Sequence, residues 1–367
     1  MFTAFDHAMM SRAIALAEKG RAITSPNPFV GCVIVNQGRI VGEGFTQAGG
    51  RPHAEAVALE QAGVRTRGGT AYVTLEPCSE RPKMRGPACA NLLAEAGVAR
   101  VIAAIGDPNP HIDGRGVAHL NSAGIVVQNG LMEAAVRVQL RAFLARVTRG
   151  RPFVMTKVAA SLDGKTGLLN GQSQWITGPA ARRDVHRMRS EACAMLTGIG
   201  TVKLDNPQLT VREVPCVRQP WRVLIDHHLD VPDDARILEG GKVLIATLDA
   251  SLPRAEALRA RGVEVVAVPI DAAVGKLDLA ALMRMLAERG INQVMVETGS
   301  KLNASLMRAG LVDEVVAYFA PNLLGNAAQG MFALPELTSL DAKMRLHIND
   351  TRRIGEDLRV TATVLNK

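Results

Sequence analysis

Apolar residues recur along the first half of the chain in short runs whose spacing changes from helical to extended and back. Between residues 6 and 19 the apolar positions follow a helical period, which ends at Gly20. Residues 29–35 and 39–45 are apolar runs joined by a tight turn that contains Gly38, which is typical of two paired strands. The spacing next predicts a helix over 53–62, a strand over 71–75, a helix over 87–96 and a strand over 100–105. This alternation predicts an α/β fold with helices on both faces of a short mixed sheet.

A second series of α/β elements follows a polar patch. Apolar spacing predicts one long amphipathic helix over 132–147, which ends in Thr148-Arg149-Gly150-Arg151-Pro152. Because this patch combines arginine, glycine and proline, we place the boundary there and expect domains at 1–148 and 149–367. Strands are then predicted over 153–160, 194–199, 221–226, 243–246, 263–268, 294–297, 314–319 and 358–365, and helices over 179–189, 253–260, 278–289 and 302–309.

Length and composition narrow the class of protein. A chain of 367 residues with 47% hydrophobic content is long enough for two globular domains. It lacks an uncharged apolar run of about 18 residues, so a membrane span is not expected, and its start does not resemble an export signal. The five cysteines are odd in number and scattered, which favours a reducing cytoplasm over a disulfide framework. We therefore expect a cytoplasmic protein.

The net charge of +8 indicates an anionic partner. The cations are dispersed along the chain, and the aromatic content is 3%, which leaves few rings to stack on bases. A phosphorylated small molecule is therefore favoured over a polynucleotide. A rival hypothesis, in which the chain edits a base in tRNA or DNA, predicts salt-sensitive binding of polynucleotides.

Three short segments of the first half carry the residues of a zinc-dependent deaminase centre. Pro52-His53-Ala54-Glu55 opens a predicted helix, Glu76-Pro77-Cys78 follows a predicted strand, and Cys89 lies eleven positions after Cys78. Zinc held by one imidazole and two thiolates keeps a fourth position for a water, whose pKa the metal lowers. A carboxylate beside that water moves a proton from the attacking oxygen to the departing amine. Since residues two apart on a helix do not share a face, His53 and Glu55 are not expected to ligate together, which leaves Glu55 for proton transfer.

The alternative is that these residues are ordinary structural ones. A lone histidine or buried cysteine is usually packing, but here order, spacing and the Pro-Cys pair agree. The departure is that ten residues separate Cys78 from Cys89, where the common signature has two. A longer loop costs little extra closure entropy, so both thiolates can still reach one metal. Cys32, the other cysteine of the first half, lies in the middle of a predicted strand.

The second half carries weaker signals. Gly198-Ile199-Gly200 follows a predicted strand but lacks the third glycine of a dinucleotide fingerprint, so a Rossmann fold is not favoured. The segment from Glu297 to Asn303 passes from a strand into a helix, where backbone N–H groups can hold phosphate, although a simple connection with a serine cap is an equal alternative. Arg182 and Arg189 fall on one helix face, either as a solvated basic face or as a phosphate clamp.

Several motifs, in one order, make the chain resemble the bifunctional deaminase/reductase family of riboflavin biosynthesis (RibD type) over nearly its whole length. In the first half these are Ser25-Pro26-Asn27-Pro28, Val30-Gly31-Cys32-Val33-Ile34, Pro52-His53-Ala54-Glu55, Leu75-Glu76-Pro77-Cys78-Ser79, Asp107-Pro108-Asn109-Pro110 and Gly114-Arg115-Gly116. In the second half they are Arg151-Pro152-Phe153, Ala160-Ser161-Leu162-Asp163-Gly164-Lys165, Ser173-Gln174-Trp175-Ile176-Thr177, Ala181-Arg182-Arg183-Asp184-Val185, Asp205-Asn206-Pro207, Leu209-Thr210-Val211-Arg212 and Pro321-Asn322-Leu323-Leu324-Gly325.

The resemblance implies an amino-terminal cytidine-deaminase-like, three-layer domain followed by a dihydrofolate-reductase-like domain. It implies zinc-dependent hydrolytic deamination of a diaminopyrimidinone bearing a phosphoribosylamino group, and then reduction of the ribosyl group to ribityl with NADPH. The partner would be this small phosphorylated pyrimidine, with no nucleic acid and no membrane, and we expect a homo-oligomer. A different hypothesis keeps the deaminase but makes the second half a structural or oligomerising domain.

The resemblance also implies roles for individual residues. Zinc falls to His53, Cys78 and Cys89, and the catalytic proton shuttle to Glu55. The positions expected to bind substrate are Lys83, Lys157, Ser173, Arg189, Leu209, Arg212 and Glu297. The positions expected to contact NADPH are Ala159, Trp175, Thr201, Asp205, Gly299, Ser300, Lys301, Leu302, Asn303, Ala304 and Ser305.

Overall fold

A five-stranded sheet organises the first half of the chain in the computed structural model, which describes residues 1–79, 86–109 and 113–365. The order across the sheet is 2-1-3-4-5 in chain order, with the first strand antiparallel to both of its neighbours and the last three strands parallel. The strands are β1 (Gly31–Asn36), β2 (Arg39–Phe45), β3 (Thr70–Leu75), β4 (Arg100–Ile105) and β5 (Val126–Asn129).

Helices cover both faces of this sheet. They are α1 (Ala4–Ala17), α2 (Ala54–Ala62), α3 (Cys89–Glu95), α4 (Arg115–Ser122), α5 (Glu133–Gln139) and α6 (Arg141–Arg149). A Cβ built on Gly31 would lie 1.9 Å from the Ala13 carbonyl oxygen of α1, and one on Gly44 would lie 2.2 Å from the Ala54 oxygen of α2. Gly44 pairs with Cys32, the neighbour of Gly31, so the two glycines face opposite sides of the sheet. This arrangement gives three layers.

The core of the first unit lies between these layers. Its fully buried side chains include Met10 of α1, Ile34 of β1, Leu93 of α3 and Ile102 of β4. Burial on both faces explains why β1, β3 and β4 read as continuous apolar runs in the sequence.

A nine-stranded sheet organises the second half. Its strands are β6 (Phe153–Ser161), β8 (Ala194–Gly198), β9 (Trp221–Ile225), β10 (Val243–Thr247), β11 (Glu264–Ala267), β14 (Gln293–Val296), β15 (Glu314–Ala320), β17 (Arg345–Ile354) and β18 (Asp357–Leu365). Short two-stranded pairs join β7 (Lys165–Gly167) to β16 (Gln329–Gly330) and β12 (Ile270–Asp271) to β13 (Lys276–Leu277). The order in the large sheet is β11-β10-β9-β8-β14-β6-β15-β18-β17, parallel from β11 to β15 and antiparallel over the last two strands.

Parallel strands bring their carboxyl ends to one edge of a sheet, where the connections to the following helices begin. The helices of this half are α7 (Pro179–Glu191), α8 (Ile199–Asp205), α9 (Pro253–Ala260), α10 (Leu279–Glu288) and α11 (Ser300–Arg308). The chain divides into two compact units, Met1–Arg151 and Pro152–Lys367. Within the described residues no helix combines the length and the apolar character needed to cross a bilayer.

The predicted α/β alternation is confirmed, but individual elements differ, and strand β5 and the short strands β7, β12, β13 and β16 were not predicted. The long helix expected over 132–147 is two helices, α5 and α6, because Leu140 leaves helical geometry between them. Helices α4 and α8 and strand β17 were not predicted. β17 is exposed along almost its whole length, so it carries no buried apolar face that periodicity could reveal.

Candidate functional site

The three candidate metal ligands come from three different connections and meet at one point. His53 caps the start of α2, Cys78 follows the end of β3, and Cys89 is the first residue of α3. The ligand atoms of these residues all lie within 4.8 Å of one another, and they form the only such group of His, Cys, Asp and Glu found in the described part of the chain. The starts of two helices and the end of one strand therefore converge, despite the long spacing between the two cysteines in the sequence.

The spacing of these atoms suits a tetrahedral zinc ion. The Nδ1 atom of His53 lies 3.2 Å from Cys89 Sγ and 3.5 Å from Cys78 Sγ. Bond lengths of about 2.0 Å to nitrogen and 2.3 Å to sulfur place two tetrahedral ligands about 3.5 Å apart. Both cysteines are buried, and a nitrogen with two sulfurs is a donor set that zinc prefers. Cys32, the alternative thiol, is buried within β1 and is not part of the group.

Glu55, the predicted proton shuttle, lies beside this group. Its residue is 3% exposed, and its Oε2 atom has no hydrogen-bond partner among the described residues. Burial raises the pKa of Glu55 to about 7, although the charge of His53 opposes the shift. A carboxyl group with a pKa near neutrality can both accept and return a proton at working pH.

The pKa values of the two cysteine thiols are shifted in opposite directions. A hydrogen bond from Cys89 and the proximity of His53 lower the pKa of the Cys78 thiol to about 4, against the effect of burial. The pKa of Cys89 is raised, first by that same hydrogen bond and then by burial. One thiolate is therefore available before a metal arrives, and a cation would stabilise the second.

In the second unit, a largely buried charged cluster, whose side chains are 12–17% exposed, forms at the carboxyl end of β14. Strand register places Thr156 of β6 opposite Val296, so Lys157 and Glu297 follow on adjacent strands, with 3.6 Å between Lys157 Nζ and Glu297 Oε2. Arg189 of α7 donates from Nε and Nη2 to the two Glu297 oxygens at 2.6 and 2.9 Å. Burial would raise the pKa of Glu297, but the charges of Arg189 and Lys157 hold it at about 2. Burial lowers the pKa of Lys157. Two cations thus surround one carboxylate.

The segment predicted to contact the cofactor lies next to this cluster in the chain. Gly299 caps α11 without a side-chain hydrogen bond to the helix, and its N–H donates to Thr201 Oγ1 at 3.1 Å. The hydroxyl of Ser173 donates to Asp205 at 2.9 Å. Predicted substrate and cofactor positions are therefore connected directly.

The remaining predicted positions are less uniform. Trp175 is 72% exposed and stacks against the Arg182 guanidinium, so Arg182 and Arg189 have separate partners rather than forming one clamp. Arg212 is exposed, and its guanidinium donates to Gln208 and Thr210.

The other predicted positions lie in regular elements or are buried. Ala159 lies in β6, and three further positions are buried: Leu209, Asn303 and Ala304. Helix α11 also contains Ser300, Lys301, Leu302 and Ser305. Lys83 lies outside the described residues.

Two buried polar residues close to these sites received no role from the sequence. Glu76, which lies two residues before Cys78, is 4% exposed. His186 is 5% exposed, and its Nδ1 accepts the backbone N–H of Arg212 at 3.2 Å. An acidic residue directly after a strand of buried side chains was a usable signal for Glu76, whereas the partner of His186 lies 26 residues away and gives no local pattern.

Family models match both halves of the chain. Residues 3–105 match the cytidine and deoxycytidylate deaminase zinc-binding region, and residues 152–360 match the RibD C-terminal domain. The cytidine-deaminase-like and dihydrofolate-reductase-like folds expected from the resemblance are thereby confirmed.

Full-length relatives agree with these matches. The riboflavin biosynthesis protein RibD of Escherichia coli is 43% identical over 96% of this chain and 98% of its own length, and that of Haemophilus influenzae is 43% identical over 99% and 98%. Among solved structures, RibD of Acinetobacter baumannii (form 1) superposes with a TM-score of 0.91 at 38% identity, covering 99% of each chain. A diaminohydroxyphosphoribosylaminopyrimidine deaminase/5-amino-6-(5-phosphoribosylamino)uracil reductase from Thermotoga maritima gives a TM-score of 0.86 at 34% identity, covering 98% of this chain and 99% of its own. With such similarity along its whole length, the chain belongs to the RibD family of riboflavin biosynthesis proteins.

Proposed function

We propose that the chain is a bifunctional enzyme of riboflavin biosynthesis that acts first as a hydrolase and then as an oxidoreductase. The first step deaminates a diaminopyrimidinone that bears a phosphoribosylamino group, and the second reduces its ribosyl group to ribityl. The cofactors are Zn²⁺ and NADPH. The observation that carries the proposal is the convergence of His53, Cys78 and Cys89 beside the buried acid Glu55.

In the deaminase half, His53, Cys78 and Cys89 hold the metal and Glu55 moves the proton. Zinc held by these residues would supply an activated water for the reaction. Water adds to the carbon that carries the amine, the carbon–nitrogen bond breaks, and the products are a carbonyl compound and ammonia. Glu55 takes the proton from the attacking oxygen and delivers it to the leaving nitrogen, a role that suits its pKa of about 7. Lys83 is proposed to hold substrate on the strength of its motif alone.

In the reductase half, the charged cluster and its neighbours hold the substrate. Lys157, Arg189 and Glu297 together carry an excess positive charge, and Arg212 adds another cation, which suits a phosphorylated substrate. Ser173 and Leu209 complete the proposed substrate contacts. NADPH supplies a hydride, and a proton completes the reduction of the ribosyl group.

The remaining proposed contacts hold the cofactor. The segment Gly299–Ser305 is proposed to contact the cofactor, and the first-turn backbone N–H groups of α11, at Ser300, Lys301 and Leu302, offer an anion site for its phosphates. Thr201 fixes Gly299, and the exposed ring of Trp175 is free to stack on the nucleotide. Ala159 and Asp205 complete this set.

The proposal extends to assembly and location. We propose a homo-oligomer, because β17 ends the large sheet, pairs only with β18 in the described region, and exposes Leu346 and Ile348 by 46% and 59%. Light scattering of the purified protein measures this. A cytoplasmic location is supported by the five cysteines, all of which are free thiols.

The test is a coupled assay on metal-analysed protein. Zinc-loaded enzyme with the diaminopyrimidinone and NADPH should release ammonia first and oxidise NADPH afterwards, and pre-deaminated substrate should abolish the delay. Ammonia release without later NADPH oxidation would leave the second half as a structural domain. Salt-sensitive polynucleotide binding, with no turnover of the small molecule, would favour base editing instead.

A further inference from the structure

A buried carboxylate, Glu76, lies between the end of β3 and the candidate ligand Cys78. Its Oε1 atom accepts the backbone N–H groups of Gly116 and Val117 at 3.1 and 3.2 Å. Its Oε2 atom accepts those of Gly114 and Asp107 at 3.2 and 3.4 Å. The residue is 4% exposed, so these four hydrogen bonds replace the water that it loses on folding.

Three of these hydrogen bonds attach the start of α4 to the end of β3, and the fourth, from Asp107, ties in the segment that follows β4. Gly114, the N-cap of this helix, has no side chain to cap the first turn, and its φ of 76° lies in the left-handed region. The orphan N–H groups of the first turn are satisfied by Glu76 instead, and a negative charge at this end of a helix is favourable.

The same turn presses against the backbone that leads to Cys78. A Cβ built on Gly116 would lie 1.9 Å from the carbonyl oxygen of Pro77, so no other residue fits there without moving the helix or the strand end. On the α3 side, Ala90 N–H donates to the Cys78 carbonyl at 3.1 Å, and Cys89 N–H donates to Cys78 Sγ at 3.4 Å. Cys78 is thus held from two sides, by α3 and by α4.

We propose that Glu76 is a positioning residue of the metal centre, which acts through Cys78. The hydrogen bonds that Glu76 accepts hold α4 against the Pro77 carbonyl, and this contact keeps Cys78 Sγ within reach of His53 and Cys89. A glutamine at this position has one acceptor oxygen, and its NH₂ group would face two backbone donors. The first turn of α4 would then separate from the strand end, and Cys78 would gain freedom to leave the metal. This inference rests on the proposed zinc site.

The experiment compares zinc release from Glu76→Gln with release from a matched control, Asp6→Asn. Asp6 is also a buried acid of the first unit that accepts backbone N–H at the start of a helix, α1, but its other partners are Tyr72 and Arg100 rather than a metal ligand. Both variants should lower the melting temperature. Transfer of zinc to a chromogenic chelator should be about 10–100-fold faster from Glu76→Gln, and unchanged from Asp6→Asn.

Equal zinc release from the two variants would overturn the positioning role. If Glu76→Gln does not fold, zinc release from Gly116→Ala tests the positioning role instead. The added methyl group should move α4 away from Pro77 while the carboxylate of Glu76 stays intact. Faster zinc release from Gly116→Ala supports the proposal, and wild-type release overturns it. A wild-type protein that binds no zinc would overturn the deaminase centre itself, whereas loaded wild type with unchanged release from the variants removes only the role of Glu76.

Discussion

The two candidate sites are built with opposite charge balance. In the first unit, two thiols and the carboxyl group of Glu55 surround one imidazole, so the site is short of positive charge once its protons leave. In the second unit, Lys157 and Arg189 surround the single carboxylate of Glu297. A bound cation would balance the charge of the first site, and a bound anion would balance that of the second. In our proposal, one chain forms a metal site and a phosphate site in the same way, because each site holds a group of charges that is incomplete without its ligand.

The glutamates of the two sites, Glu55 and Glu297, differ in the direction of their pKa shifts. Both Glu55 and Glu297 are shielded from water, but the pKa of Glu55 is raised to about 7 by burial, whereas the cations around Glu297 hold its pKa at about 2. A carboxyl group that titrates near neutrality suits proton transfer, and one that stays ionised suits a fixed counter-charge. Substitution of the two glutamates should therefore have different consequences.

The largest expected effect is on deamination in Glu55→Gln. Loss of the proton shuttle should lower the deaminase rate by about 10²–10⁴-fold, because Glu55 is the carboxyl group that lies beside the three candidate ligands. Zinc content and NADPH oxidation with pre-deaminated substrate should stay unchanged. Glu60→Gln, an exposed position of the same helix, is the control and should retain full activity. A near-wild-type rate of ammonia release from Glu55→Gln would refute the shuttle.

The next effect concerns the identity of the second thiolate. Cys89→Ser should weaken zinc binding by at least about 100-fold, since loss of a direct ligand exceeds the usual effect of an indirect one. Cys32→Ala is the matched control, because Cys32 is buried in the same unit but lies outside the ligand group. Equilibrium competition with a zinc chelator measures both. Weaker binding in Cys32→Ala alone would transfer the ligand role to Cys32.

The parts of the molecule that the sequence could predict are those with a local signal. β1, β3 and β4 are buried on both faces, so their apolar runs mark them, and the candidate ligands follow recognisable strand and helix ends. Helix α4 lacks such a signal, because the group that caps it, Glu76, lies 38–41 residues away from its partners there. The hydrogen bonds that form β17 likewise come from β18, and its exposed side chains follow no burial pattern.

The same limit applies to the second site. The sequence placed Arg182 and Arg189 on one helix face, either as a solvated basic face or as a phosphate clamp, because a helix repeats its faces. The structure gives them different partners, Trp175 and Glu297, and both partners belong to other elements. Helical spacing fixes which way a side chain points, but tertiary neighbours decide what it meets.

A third prediction tests the fixed counter-charge through pH. The folded-state pKa of Glu297, about 2, lies below its ordinary value of 4.5, so ionised Glu297 stabilises the second unit above pH 4.5. That stabilisation, about 3 kcal/mol, is lost as the pH falls from 4.5 towards 2. Glu297→Gln should therefore be less stable than wild type at pH 7, and the difference should shrink at low pH.

Denaturant unfolding followed by tryptophan fluorescence measures this, because both tryptophans of the chain, Trp175 and Trp221, lie in the second unit. The control is Glu264→Gln, which breaks the more exposed ion pair with Arg289 and should cost no more than about 1 kcal/mol. Equal stability of Glu297→Gln and wild type at pH 7 would show that the charge of Glu297 does not stabilise the second unit.

The smallest expected effect belongs to Trp175, whose exposed ring packs under Arg182 with 4.7 Å between the guanidinium carbon and the ring centre. If the ring contacts NADPH, the cofactor should quench its fluorescence. Because Trp221 is the only other tryptophan, Trp221→Phe should keep the quenching and Trp175→Phe should lose it. A single stacking contact is worth about 1 kcal/mol, so Trp175→Phe should weaken NADPH binding by only about five-fold by calorimetry. Quenching that disappears in Trp221→Phe instead would place the nucleotide near β9, away from the charged cluster, and the second site would then lose its link between substrate and cofactor.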